Sequence, residues 1–489
     1  MKIIFINILC FTSLFFRFAW AQKEANYWVF GEGGGLNFTN NQLNFFESEV
    51  DLFGVTAVVS DQNSGELLFY SDGLYIWNKN HEIMQNGSEI KTGSNHQDSP
   101  RIVPSQPLII VPRPGINDEY YLFHLNEIES SLLENADLYY TIVNTGLNNG
   151  NGEVKQGDKN FFVKGNLALK ITAVPHANGK DFWLITHAAD NNDFYVYLIS
   201  DEGLAGPKVI SSGISYAVNN SENYIRGFIK ASPNGNYIAV SSLGENRRFE
   251  LFSFNPGTGD ISNPVSLGNF DFQYGLSFSP DNTKLYLRGI NERDYFHQFN
   301  LLASNIANSR IGLFRENPNL GDHVVILHGS VELAPDGKLY VRGVRNNDEQ
   351  INGLGIISNP NALGWEVNFE IVPEPFEEDD HISGGLPNLI QSTFNGITPN
   401  RNPNSPCNEA STFQLSPNPA KDFIKIGVLE KCFTSYRLTI YRITGQKIVQ
   451  YSIKNQDSGE LPIYDLSSGI YLAVLEFENK RIVKKFYKY

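Results

Sequence analysis

The sequence predicts an all-β protein, a seven-bladed β-propeller followed by a small immunoglobulin-like β-sandwich. Three observations lead there. A strand, turn, strand pattern recurs with a period of about 50 residues, the spacing of radial repeat folds. Its turns are rich in Gly, Asn, Asp and Pro, and its flanks carry β-branched and aromatic residues, which argues against helical repeats. A segment rich in Pro and Asn (395–411) then sets off a tail, 412–489, in which about seven short strands can be placed, as in a small sandwich.

At the N-terminus, Lys2 precedes a largely apolar run from Ile3 to Phe16, and Ala19-Trp20-Ala21 places small residues around a cut. Residues 1–21 are therefore expected to be a signal peptide, with Gln22 opening the mature chain. The alternative is a membrane anchor, but such a run spans only about 21 Å against a hydrocarbon core of about 30 Å. Arg17, between the run and the cut, is atypical. No later stretch is long and apolar enough to cross a bilayer, so the mature chain is expected to lack a transmembrane segment.

Residues 22–394 hold the repeat. Its instances are Val55 to Tyr70, Pro107 to Phe123, Lys170 to Ile185, Gly227 to Val240, Gly275 to Leu287 and Gly329 to Val341. With Gly65, Asp118, Gly179, Gly235, Thr283 and Gly337 as turn markers, successive spacings are 53, 61, 56, 48 and 54 residues. Asn and Gly tolerate the positive φ of tight hairpins. The prolines of SPNG, SPDN and APDG end a strand without leaving a ladder donor unpaired.

A seventh unit is split across the repeat's ends. Gly385 to Ser392 reads as a first strand without partners, and Tyr27 to Phe30, Leu36 to Phe38 and Leu43 to Phe46 read as strands without a first. Joining them closes the ring and removes two exposed sheet edges. The competing picture is an open six-bladed ring with a loose N-terminal hairpin.

In the tail, strands are expected at 413–415, 423–428, 435–441, 447–451, 460–464, 470–477 and 480–487, with turns at Thr444-Gly445 and Ser467-Ser468-Gly469. Once the signal peptide is removed, Cys407 and Cys432 are the cysteines left, and in an exported chain they are either a disulfide or two separate thiols.

Four stretches in order carry a resemblance: Ser416-Pro417-Asn418-Pro419, then Tyr441 to Lys447 around Gly445, then Asp465 to Tyr471 with Gly469 before Tyr471, and last Lys484-Lys485-Phe486. Each is weak singly, but in this order and at the chain's end they resemble the type A sorting domain of the type IX secretion system of Bacteroidota. The resemblance implies transit of the inner membrane by the general secretory route. It further implies recognition of this domain by the type IX machinery at the outer membrane, followed in the family by removal through a sortase-like peptidase and release or attachment to lipopolysaccharide. The ending Tyr487-Lys488-Tyr489 departs from the family's usual basic-apolar pair. More loosely, Asn26 to Gly31 and Gly384 to Asn388 resemble exported Bacteroidota propellers, and the turns look like those of WD40-like propellers, a likeness that identifies a fold and not an activity.

No local motif carries chemistry. Gly31 to Gly35 (GEGGG) is a hairpin turn, because a strand and not a helix follows, so no helix dipole supports a phosphate. GxSxG and HExxH are absent. His96 and Asp98, His323 and His328, and Glu377 to His381 lack convincing ligand spacing and read as loop residues. Asp61 to Glu66 reads as a hairpin and not a calcium loop, and Ser71-Asp72-Gly73 lacks the Asp-box spacing of sialidase-type propellers. No catalytic residue, cofactor or metal is expected.

Charge narrows the partners. The tail from 412 holds 12 Lys and Arg against 7 Asp and Glu; setting it and the signal peptide aside leaves −22 of the total −15 on residues 22–411. Such a body repels polyphosphate, so nucleic acid is an unfavourable partner. The leading expectation is a secreted or surface-held module whose loops bind a protein or glycan. Its rivals are a carbohydrate-active or lyase-type enzyme with carboxylates converging at the channel mouth, and a structural part of a gliding or adhesion apparatus.

Overall fold

A computed structural model describes residues 23–31, 33–39, 43–50, 54–91, 105–128, 135–215, 225–290, 296–313, 324–326, 330–346, 351–373, 385–395, 413–416, 420–428, 435–444, 446–454, 460–477 and 480–488. It divides into two compact units, Met1–Asn400 and Arg401–Tyr489.

Unit one is antiparallel throughout its sheets. β1 (Tyr27–Phe30), β2 (Gly34–Asn37) and β3 (Asn44–Glu47) form one sheet; β4 (Ala57–Ser60), β5 (Leu67–Ser71) and β6 (Ile76–Asn78) form the next. Then come β7 (Leu108–Pro112), β8 (Glu119–Ile128), β9 (Asn135–Asn144), the short β10 (Glu153–Val154), β11 (Phe161–Pro175), β12 (Phe182–Ala188), β13 (Asp193–Ser200) and β14 (Gly203–Ser211) in one continuous ladder. A second long ladder holds β15 (Ile229–Ala231), β16 (Tyr237–Val240), β17 (Arg247–Asn255), β18 (Asp260–Phe278), β19 (Lys284–Ile290), β20 (Phe296–Asn300) and β21 (Ile311–Gly312). The last contains β22 (Val324–Ile326), β23 (Val331–Leu333), β24 (Leu339–Asn346), β25 (Ile351–Ile357) and β26 (Phe369–Pro373).

The long ladders are each two repeat units fused through a shared strand. β11 pairs with β9 through Phe161–Leu167 and, past a register shift, with β12 through Ile171–Pro175. β18 does the same between β17 and β19, with its shift between Asp271 and Gly275. One strand thus closes one unit and opens the next.

All six repeat instances are hairpins in register, β4 with β5, β7 with β8, β11 with β12, β15 with β16, β18 with β19 and β23 with β24. Their turns use left-handed residues for the steric reason expected: Gly65, Asp118, Gly179, Gly235 and Gly337 have φ of 79°, 61°, 72°, 71° and 77°. In the fifth turn Asn282 (φ 62°) takes that position, one residue before the expected Thr283, because a β-branched side chain is disfavoured there.

The first strands of these hairpins stand side by side in chain order, β4 by β7, β7 by β11, β11 by β15, β15 by β18 and β18 by β23. From β23 the succession returns to β4 through residues 385–388. Leu386 N–H donates to Ser330 Oγ at 2.6 Å and Asn388 N–H to the Thr56 carbonyl at 2.9 Å, while Gly385 abuts Val55 so closely that a Cβ would lie 2.5 Å from it. The expected strand over 385–392 does not form: 385–390 has no ladder partner, and Gln391–Phe394 coils into a 3-10 turn. The β1–β3 sheet stays three-stranded. Even so, Leu386, Leu389 and Phe394 share one buried core with Trp28, Val29, Phe30, Leu36 and Phe38.

Unit two contains β27 (Phe413–Ser416), β28 (Phe423–Val428), β29 (Ser435–Arg442), β30 (Lys447–Lys454), β31 (Glu460–Pro462), β32 (Gly469–Phe477) and β33 (Lys480–Lys488). They form two sheets, ordered β27-β28-β31 and β30-β29-β32-β33. Ile424 of the first and Leu438, Ile440, Ala473, Leu475 and Phe486 of the second are buried in one core, the result of alternating apolar residues on each strand.

Candidate functional site

Two places concentrate features beyond packing: the centre where the first strands meet, and the tail's sorting motifs. At the centre, polar residues sit inside otherwise apolar strands. Lys230 of β15 and Glu332 of β23 each lie five residues before their turn glycine, Gly235 and Gly337, so the repeat holds them at equivalent positions with opposite charge. They form an ion pair, with side chains 3% and 2% exposed. Burial pulls the Lys230 ammonium below its usual range and pushes the Glu332 carboxyl above its own, each opposed by the partner's charge. The second Glu332 oxygen, Oε1, accepts from Gln391 Nε2 at 2.6 Å.

Gln106, just before β7, and Asn388 complete the set. Gln106 Nε2 donates to Asn388 Oδ1, and its Oε1 accepts from the Ile229 N–H of β15 at 3.1 Å. Asn388 Nδ2 donates to the carbonyls of Leu108 in β7 and Ile171 in β11, at 2.7 and 3.0 Å. Nearby, Lys170 Nζ donates to the Ser241 carbonyl (2.9 Å) and Ser242 Oγ (3.0 Å), and burial pushes it down to about 7. Apart from Gln391 Oε1, which has no hydrogen-bond partner, these buried groups bond to one another or to neighbouring strands, and so tie chain to chain. Sequence reading missed them, although the signal existed: one charged or amide residue in each of several apolar first strands.

Topology gives this unit two unlike ends. Connections from first to second strands span 61–66, 113–118, 176–181, 232–236, 279–283 and 334–338, all tight. In an antiparallel meander the connections into first strands arrive at the opposite end, with those from second to third, and in sequence those from β6 to β7, β14 to β15 and β21 to β22 are the long ones, 79–107, 212–228 and 313–323.

The expected hairpins are formed. Gly33 (φ 73°) turns between β1 and β2 with its N–H given to the Val50 carbonyl at 2.8 Å, and Gly35 makes room for the Phe46 ring, 2.4 Å from where a Cβ would stand. Asp61 Oδ1 accepts from the N–H groups of Asn63 (3.0 Å) and Ser64 (2.7 Å), which hold its carboxyl below the usual range. Asp72 caps its turn through Leu74 and Tyr75 N–H at 2.8 and 2.9 Å. His96, Asp98, His323, His328 and Glu377 to His381 lie outside the described residues, as do Cys407, Cys432 and residues 1–21. Among the described residues no three His, Cys, Asp or Glu side chains gather as metal ligands, and no helix is long and apolar enough to cross a membrane.

In the tail, Pro417, Asn418, Pro419 and Gly445 lie outside the described residues. Gly469 opens β32, and Tyr471 is buried, stacked on Phe486 at 5.7 Å, with its hydroxyl donating to the Ser467 carbonyl at 2.8 Å, so it ties the preceding turn to the core. Lys484 and Lys485 are successive residues of β33, paired to Ala473 and Leu472, and so project to opposite faces. Lys485 lies over the Tyr487 ring at 5.0 Å.

Residues 414–488 match the family described as secretion system C-terminal sorting domain. The chain therefore carries such a domain at its C-terminus. No curated protein matches the chain. Solved structures similar to it include hydrazine synthase of Kuenenia stuttgartiensis (12% identity, 71% of this chain and 90% of that one, TM-score 0.32). A periplasmic gluconolactonase of Pseudomonas aeruginosa (13%, 79% and 91%, 0.35) and the β-propeller domain of Cps50 (Swd1) from Myceliophteria thermophila (9%, 65% and 93%, 0.35) are similar at the same level.

Proposed function

We propose that the chain is an exported binding module: a seven-bladed propeller over residues 22–394, carried across the outer membrane by a type IX sorting domain with an immunoglobulin-like sandwich over 412–489. The sorting-domain match over 414–488 carries the export half. The circular succession of first strands, returning from β23 to β4 through 385–388, supports the propeller, with β1–β3 as the outer part of its seventh blade.

The ligand is a protein or glycan met at the end that bears the long connections. The burial of Gln106, Asn388 and Gln391 where the first strands meet favours this over a channel enzyme. Probing glycan and surface-protein arrays with the mature protein tests the reading. Saturable binding is expected, weakened by changing Asp190 and Glu245 at the long-connection end and indifferent to Lys180 and Asn282 at the tight-turn end. No binding, or loss from the tight-turn changes alone, contradicts it.

A further inference from the structure

We infer that residues 385–395 are an internal plug that bolts the centre of unit one, so that the body is completed only by the last described segment before the sorting domain. The geometry is specific. Within four residues of chain, Leu386 N–H reaches Ser330 beside β23, Asn388 N–H reaches Thr56 beside β4, and Asn388 Nδ2 reaches β7 and β11. Gln391 adds Glu332 of β23 and, through the ion pair, Lys230 of β15. Five of the six first strands are thus tied, directly or through one side chain, to one short segment.

A blade-closing strand would satisfy its backbone against one neighbour's edge. Here Pro387 has no N–H to give, no ladder forms, and the side-chain amides of Asn388 and Gln391 make the cross-links instead. The segment is inside, not alongside: Leu386, Asn388, Gln391 and Phe394 are 1%, 3%, 1% and 0% exposed. Its end is external again, where Asn282 Nδ2 donates to Asn395 Oδ1 at 3.2 Å on the surface. A cut that frees the body from its sorting domain therefore leaves the centre closed only if it falls beyond Asn395.

The test uses the full chain with a site-specific protease sequence inserted between residues 383 and 384, or in a second variant between 395 and 396. Cutting the first in native buffer is expected to leave the 384–489 fragment bound on gel filtration, released only with cooperative loss of the body's structure in denaturant. Cutting the second is expected to free the tail with the body's unfolding midpoint unchanged. Asn388→Leu, which strands the Gln106 amide and two buried carbonyls, is expected to lower the folding equilibrium constant by roughly 100-fold or more. A 384–489 fragment that leaves at once while the remainder keeps its midpoint overturns the plug, as does Asn388→Leu with unaltered stability. A failed ligand screen has no bearing on either readout.

Discussion

At the scale of single residues, two buried histidines set an acid limit. His124 Nδ1 must donate to the Lys91 carbonyl, which leaves Nε2 to accept from Thr141 Oγ1 at 3.2 Å; His187 Nδ1 likewise donates to the Ala188 carbonyl at 2.8 Å. Burial pushes them down to about 4 and about 3. Between those values and the unfolded value near 6.5 the unfolded chain binds more protons, so stability falls as pH falls through this window, by roughly 3 kcal/mol for His124 and roughly 5 kcal/mol for His187. Urea midpoints from pH 7.5 to 4 are expected to show this loss, with the slope reduced in His124→Gln; a pH-independent midpoint over that range would refute it. The Lys230–Glu332 pair makes a second prediction. Lys230→Met or Glu332→Gln alone strands a buried partner and is expected to cost about 3–5 kcal/mol, whereas the double variant recovers most of it. Additive losses in a double-mutant cycle would show that the pair is not coupled.

At the scale of elements, the turns carry the fold's timing of strand and corner. Gly179 is the cleanest probe, since a Cβ there would meet nothing within 4 Å and only its φ of 72° opposes substitution. Gly179→Ala is therefore expected to lose about 1–2 kcal/mol and Gly179→Asn much less, read from melting temperatures; equal losses would mean backbone handedness is not the cause. These hairpins were legible in the sequence because their signals are local: a left-handed residue, a proline at the strand's end, apolar flanks. The tail's strands were legible for the same reason, and the observed bounds fall within a few residues of those expected. The segment 385–392 was misread as a strand because GLPNLIQS is apolar enough for one. What decides its conformation is Asn388 meeting carbonyls 280 and 217 residues away in sequence and Gln391 meeting the Glu332 carboxylate 59 residues away, which no local pattern encodes. The Lys230–Glu332 pair was hidden similarly, as each half alone looks like an ordinary surface charge.

At the scale of the whole molecule, the ends of unit one depend on a common core. Trp28 of β1 is fully buried and packs edge-on against Phe38 (5.0 Å) and Tyr340 of β24 (5.6 Å), joining the first strands made to the last repeat. Trp28→Ala is expected to cost about 3–5 kcal/mol and to do so cooperatively for unit one, seen as a single shifted transition by two probes. Loss confined to local signals near β1 would mean that the N-terminal sheet is an appendage. The compact tail, with its own buried core, is a separate unit matched to a sorting domain, so its removal is expected to abolish export without unfolding the body. Fractionation of cells expressing the chain without residues 412–489 tests this most directly. Folded, protease-resistant body held in the periplasm is the predicted result, and undiminished appearance at the cell surface or in the medium would contradict it.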